Sequence, residues 1–355
     1  MKRSRILMAA LCGALAIACA STSIAMVHST SVLTAGMLID HKARTPTQAQ
    51  AGAQPWWAGF EDVAMSRLMA ASKGTAESGV ASAYIALKVK TLELLYLENT
   101  RDAVMRQSAL IKGSTLPHDD FAKQLAARQA SAQTTIGKLQ AQRASYLSYL
   151  ARQCHMPEAA LKEMLADALQ DRSLPRFAAE VPSELPMAVL ANRNDINLAA
   201  ALYGADPAAM PGGTIDATDE SQDGIDMPGE PPLYTQAVAQ AREQVAGALH
   251  RLRMQSDIAN TAYARVANAR AGFESSKLRR DRGEISEVQL MEDFQGLLLD
   301  LHVLAAANGE LALAWVVLMG SIGNGASVDA IASPRSAQAE QLPFLHKISR
   351  KLRNP

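Results

Sequence analysis

Few side chains in this sequence are spaced to do chemistry. The seven histidines, His28, His41, His118, His155, His250, His302 and His346, are scattered, and no two form a helical pair with metal-ligand spacing. They read as structural or exposed residues, and no metal is expected on them. The segment Asp219 to Glu230 puts Asp219, Ser221, Asp223, Gly224 and Glu230 at calcium-loop positions 1, 3, 5, 6 and 12. However, Asp226 stands where such a loop carries an apolar residue, Pro228 interrupts it, and no amphipathic helix precedes it. A solvated acidic linker is the better reading. No nucleophile elbow, phosphate loop or paired catalytic carboxylate is visible, so the chain does not read as an enzyme or as the holder of a cofactor.

The cysteines say more about location than about chemistry. Lys2, Arg3 and Arg5 precede an apolar stretch from Ile6 to Ala18, and small polar residues follow at Ser21, Thr22 and Ser23. This is an export signal, its apolar run shorter than the roughly 20 residues of a membrane span. Leu15-Ala16-Ile17-Ala18-Cys19 suits lipoprotein processing, with Cys19 as the acylated residue, while Ala18-Cys19-Ala20 also suits ordinary signal cleavage. Lipidation at Cys19 would anchor the chain, and Ala20 carries no acidic retention cue, so the outer membrane is the expected destination. Cys12 lies inside the signal, which leaves Cys154 alone in the body as a core thiol without a disulfide partner.

Lys and Arg number 35, as do Asp and Glu, so net charge implies neither nucleic acid nor an anionic surface as partner. Aromatic residues make up only 5%. Together with regular periodicity, this composition points to long helices.

Those helices set the organisation. After the signal peptide at 1–20, residues 21–54 read as a flexible Ser/Thr/Ala/Gln tether. Val80, Tyr84, Leu87, Thr91 and Leu94 follow a 4-3-4-3 spacing, the seam of a helix. A break around Gly113 to Pro117 is followed by a second seam at Ile136, Leu139, Arg143, Tyr146 and Leu150. Two long helices around a short Gly/Pro turn make a helical hairpin over about 77–153, within a first helical repeat at 55–205. A second repeat, 233–322, shows the pattern again through Val238, Val245, Leu249, Leu252 and Val266. It turns near Gly283 and returns through Val288, Met291, Phe294, Leu298 and Leu301. Residues 206–232 between them hold seven acidic residues, no basic one, and repeated Pro and Gly, as a linker does. The tail at 323–355 is low in periodicity and ends in a basic cluster of Lys347, Arg350, Lys351 and Arg353.

The segment from Val181 to Leu202 resembles the mid-chain signature of TolC-like outer-membrane efflux proteins, in the efflux lipoprotein branch. Pro182, Leu185, Pro186, Leu190, Arg193, Asp195, Ile196, Ala199 and Leu202 match it. Asn194 replaces a proline of that pattern and Ala200 a glutamate. Without the family, the same residues argue for an extended approach enforced by Pro182 and Pro186, and for a helix capped by Asp195, with Arg193 left to pair with a carboxylate or a carbonyl. Trp56-Trp57-Ala58-Gly59-Phe60-Glu61-Asp62 is similar to the family's lead-in to its first helix. Leu233 to Arg253 and Leu318-Met319-Gly320 resemble its second repeat.

The resemblance implies an all-α protein of two long coiled-coil hairpins. The strands that family members insert to build a barrel are missing. The first insertion point, Ser72 to Gly79, is too short, and the acidic linker lacks strand alternation. It also implies hairpin tips that contact a partner or gate a tunnel, at Gly113 and Asp119 in the first repeat and at Arg279, Arg280, Gly283 and Glu292 in the second. Arg280 and Gln289 depart from the family's tip. The implied function is an outer-membrane component of a tripartite efflux or type I secretion system. Its implied partners are a periplasmic adaptor (membrane fusion) protein and an inner-membrane transporter, and it would work as a homotrimer or with full-length family members. The alternative is a degenerate, non-transporting periplasmic lipoprotein that serves as a helical scaffold.

Overall fold

The computed structural model describes residues 55–72, 77–112, 119–175, 177, 181–207, 210, 212–217, 227 and 229–323. The expected signal, the tether, Cys19 and almost all of the tail fall outside the described residues, as does Gly113.

A 3-10 turn, Trp56–Phe60, leads into helix α1, Val63–Ser72. Asp62 starts α1: its Oδ1 accepts the backbone N–H of Ala64 at 2.9 Å and of Met65 at 3.1 Å, which satisfies donors that a first turn leaves open. Helices α2, Glu77–Lys112, and α3, Asp119–Gln153, form the first hairpin. Short helices α4, Glu158–Met164, and α5, Ala166–Gln170, follow. Strand β1, Glu184–Pro186, runs into a 3-10 turn, Met187–Asn192, and then helix α6, Asn194–Tyr203. Strand β2, Thr214–Asp216, precedes the second hairpin, α7, Pro232–Asp281, and α8, Glu287–Ile322.

The seam positions are where the core lies. Val80, Tyr84, Leu87, Leu94, Ile136, Leu139 and Leu150 are buried, as are Val238, Val245, Leu249, Leu252, Val266, Met291, Phe294, Leu298 and Leu301. The helices pack in the spatial order α3, α2, α8, α7, so the second hairpin joins the first through α8 against α2. That contact is close because Gly309 of α8 has no side chain. A Cβ there would come within 2.5 Å of Val89 Cγ2 on α2. Further along, Gln107 Nε2 donates to the Val288 carbonyl at 3.0 Å, so α2 and α8 run antiparallel, with the last turns of α2 beside the start of α8. Helix α8 is long and apolar enough to cross a membrane, but most of that stretch is buried here as a core helix.

The fold is helical as expected, with one departure. Strand β2 lies inside the segment read as an acidic Pro/Gly linker and pairs antiparallel with β1, Leu185 opposite Ile215. Both side chains are fully buried. Three residues are too few to show alternation in a sequence, and one inward side chain is enough to fix them. Among the described residues this two-stranded sheet is the only one, and no barrel strand occurs.

Candidate functional site

Among the described residues, those singled out by sequence lie mainly at two places, a junction where the middle of the chain meets the end of its last helix and the tip of the second hairpin, with Asp119 apart at the start of α3. Gln244, beside the junction, and Arg279, at the tip, both lie on α7, about 50 Å apart at 1.5 Å per residue.

At the junction Pro182 and Leu185 are buried, and Pro186 leads from β1 into the 3-10 turn that sinks Leu190. Arg193, with extended backbone, is the residue at the α6 N-cap, and no side chain caps this helix. Asp195, expected as the cap, sits inside the first turn instead. Asn194 already has helical geometry, so the helix starts one residue before Asp195. The guanidinium of Arg193 is nearly buried, 11% exposed. It donates from Nη1 to the Ser321 carbonyl at 2.6 Å, from Nη2 to Gln244 Oε1 at 2.8 Å, and from Nε and Nη2 to the two oxygens of Asp195 at 3.0 and 2.7 Å. Those hydrogen bonds hold the Asp195 carboxyl below the ordinary aspartate range, against a smaller opposing effect of burial. Ser321 is in the last turn of α8, where carbonyls lack helical partners, so Arg193 supplies the missing donor. Gly323, at φ +105°, completes the contact, and a Cβ there would come within 2.6 Å of the Asn192 carbonyl oxygen. Ile196 packs inward, Ala199 lies partly buried against the core, and Leu202 is exposed. The junction is a polar bolt with no reacting group in it.

At the tip, α7 ends in a left-handed glycine motif. Gly283 N donates to the Arg280 carbonyl at 2.9 Å and Glu284 N to the Arg279 carbonyl at 2.9 Å, with Gly283 at φ +75°. Ser286 Oγ then accepts the Gln289 N–H and caps α8. Every arginine here faces a carboxylate: Arg279 with Glu284 at 3.4 Å, Arg280 with Glu287 at 3.5 Å, Arg282 with Glu284 at 3.0 Å. Arg106 of the first hairpin also reaches Glu287, at 3.0 Å. Behind them Gln295 Nε2 donates to Gln107 Oε1 at 2.7 Å in a buried polar pair between α8 and α2. Burial pushes the Glu292 carboxyl up, Arg128 opposes this, and Asp293 adds to it. Asp119 opens α3, exposed, and complements the positive end of that helix.

Sequence reading missed Gln107, Gln244, Gln295 and Ser321. The two glutamines of the buried pair sit on helix faces otherwise apolar, a weak signal, and a backbone acceptor such as Ser321 leaves none. Among the described residues no three His, Cys, Asp or Glu converge to hold a metal ion. Two cavities of about 450 and 410 Å³ share Lys88, Ala168, Asp171 and Ser173 and carry charges of both signs.

This architecture has solved counterparts. It is similar to CusC, described in terms of conformational changes that accompany folding and transmembrane channel formation. That likeness has a TM-score of 0.54 at 17% identity and covers 70% of this chain and 77% of CusC. The fold is TolC-like. A membrane protein from Pseudomonas aeruginosa shares the TolC-like fold with a TM-score of 0.50 at 15% identity, over 76% of this chain and 69% of its own. No protein-family model and no curated protein matches the sequence.

Proposed function

We propose that this chain is an outer-membrane-factor-like component of a tripartite efflux or type I secretion system. In this reading its hairpin tips meet a periplasmic adaptor protein that links it to an inner-membrane transporter. The observation that supports this most is the joining of the two tips: Arg106 of one hairpin and Arg280 of the other share the carboxylate of Glu287. Arg279, Arg280 and Arg282 stand exposed beside that shared carboxylate, and Asp119 is exposed at the start of α3. A surface of interleaved charge favours orientation and fast encounter over tight burial, which suits docking against another helical tip. The chain acts as a homotrimer or beside full-length relatives, exported and held to the outer membrane through an acylated Cys19.

The test is co-purification of an adaptor with the full chain, compared with the Arg279→Glu/Arg280→Glu variant. Adaptor recovery should fall at least fivefold, and equal recovery would count against tip docking. In envelope fractionation, Cys19→Ser should move the chain from the membrane to the soluble periplasmic fraction.

A further inference from the structure

The seam between α2 and α3 has two polar positions, Thr91 and Arg143, where its other members are Val, Leu, Ile or Tyr. Both open onto one cavity of about 450 Å³, which lies between α2, α3 and the stretch from Ala168 to Ser173. Large apolar side chains at these two positions would close that space. The Thr91 hydroxyl instead turns back to donate to the Leu87 carbonyl at 2.8 Å and reaches nothing across the seam. A cavity of this size is that of a small-molecule site.

The charges around it are unequally engaged. Lys88 is taken by Asp62, at 3.4 Å, and the Asp171 carboxylate accepts the N–H of Ser173 at 3.1 Å and its hydroxyl at 2.6 Å. Arg143, Arg172 and Glu98 are half-buried, and among the described residues none of the three forms an ion pair. Nε of Arg143 is buried with no protein acceptor, which is costly for a charged donor. Burial pushes the Tyr96 hydroxyl pKa up and the charge of Arg172 opposes it, so that guanidinium is turned toward α2. Two guanidiniums against one carboxylate leave a surplus of one positive charge at the cavity.

We propose that this cavity binds a small organic monoanion, its carboxylate seated on Arg143 and Arg172 and its apolar body against Leu92, Leu95 and Leu169. The guanidinium fork matches a carboxylate and supplies the donor that the Nε of Arg143 now holds without an acceptor. One negative charge neutralises the surplus, whereas a dianion would reverse it beside Glu98 and Asp171. The leucines give the body a surface that a bare inorganic anion cannot use. The bound ligand joins the segment after α5 to the first hairpin, and it touches no residue of the junction or of the second hairpin's tip.

The test uses the purified full chain and calorimetric titration with phenylbutyrate as the probe. Binding is expected with a dissociation constant on the order of 100 µM. Phenylbutanol, which keeps the body and lacks the charge, should bind at least tenfold more weakly, and so should inorganic sulfate, which keeps charge and lacks the body. Arg143→Leu makes the seam apolar, so it should weaken phenylbutyrate at least tenfold while the helical circular dichroism and the urea midpoint are kept or raised. Arg172→Gln, outside the helices, should weaken it at least fivefold and gives the same answer should Arg143→Leu not fold. Unchanged affinity in either folded variant would overturn the proposal. So would phenylbutanol or sulfate binding as tightly as the acid, or no heat from phenylbutyrate at concentrations a hundredfold above the expected constant.

Discussion

The guanidinium of Arg193 donates a 2.6 Å hydrogen bond to the carbonyl of Ser321, which ties the middle of the chain to the end of its last helix. The residues are 128 positions apart. The bond therefore closes the two helical repeats on one another and does more than finish a local turn. Gln244 adds α7 to the same guanidinium, so three elements depend on one side chain.

Removing that side chain should cost stability well beyond a surface charge. The ion pair to Asp195 adds little, because that carboxylate is 61% exposed. The bonds to Ser321 and Gln244 are the ones that count, since Arg193→Ala strands a carbonyl and an amide with lost partners. About 2 kcal/mol of destabilisation is expected in urea unfolding. Arg193→Lys should recover less than half of this, because a single ammonium cannot serve Ser321, Gln244 and Asp195 together. A loss below about 0.5 kcal/mol in Arg193→Ala would mean that the junction is held by packing alone.

The contact of Gly309 with Val89 makes a second prediction, about how the hairpins meet. A methyl group at position 309 has nowhere to go, since it would lie 2.5 Å from Val89 Cγ2. Gly309→Ala should destabilise the chain by about 1 to 3 kcal/mol despite the better helix propensity of alanine. Val89→Ala alone should cost about 1 kcal/mol, and the double variant should recover most of the overpacking loss. Additive losses in that cycle would show that α2 and α8 are not pressed together at this point.

How far these features could be read in advance depends on their range. The helices were legible because seams such as Val80, Tyr84 and Leu87 repeat over many turns, and burial follows that repeat directly. Arg193 was legible as a polar residue with a carboxylate or carbonyl to find, and the signature around it marked the junction. Its partners Ser321 and Gln244 were not, because only the tertiary path brings them near. Strand β2 escaped notice since its one inward side chain, Ile215, sits among prolines, glycines and acids. The Gln107–Gln295 pair is similar: glutamine is common on helix surfaces, and nothing local distinguishes a buried one.

A third prediction concerns the end of α3. His155 adopts φ +51° and is exposed, in the position that closes the helix: its N–H donates to the Arg152 carbonyl at 3.2 Å, and the next N–H, of Met156, donates to Ala151 at 3.0 Å. That left-handed position suits glycine, and a Cβ there carries a steric penalty. His155→Gly should raise stability by up to about 1 kcal/mol, reduced somewhat by the greater freedom of glycine in the unfolded chain. Thermal unfolding of the two proteins side by side checks this, and a lower midpoint for the glycine variant would show that the histidine ring makes a stabilising contact.

The last prediction concerns pH. His302 on α8 faces α2, and burial lowers its pKa from the ordinary 6.5. Glu93 opposes that shift, and Lys90 reinforces it. The native state therefore resists a proton that the unfolded chain accepts below about pH 6.5. Stability from this group is fully present above pH 6.5 and is lost as pH falls through that value toward the lower folded pKa. The urea midpoint should drop between pH 8 and pH 5.5, and His302→Gln, which cannot titrate, should show a smaller drop over the same interval. Asp195 behaves as an acid-side counterpart: its carboxyl is held low by Arg193, so its contribution persists at pH 5.5 and fades only below the ordinary aspartate range. The two effects therefore separate by pH. An equal drop in His302→Gln and the parent chain at pH 5.5 would place the responsible group elsewhere.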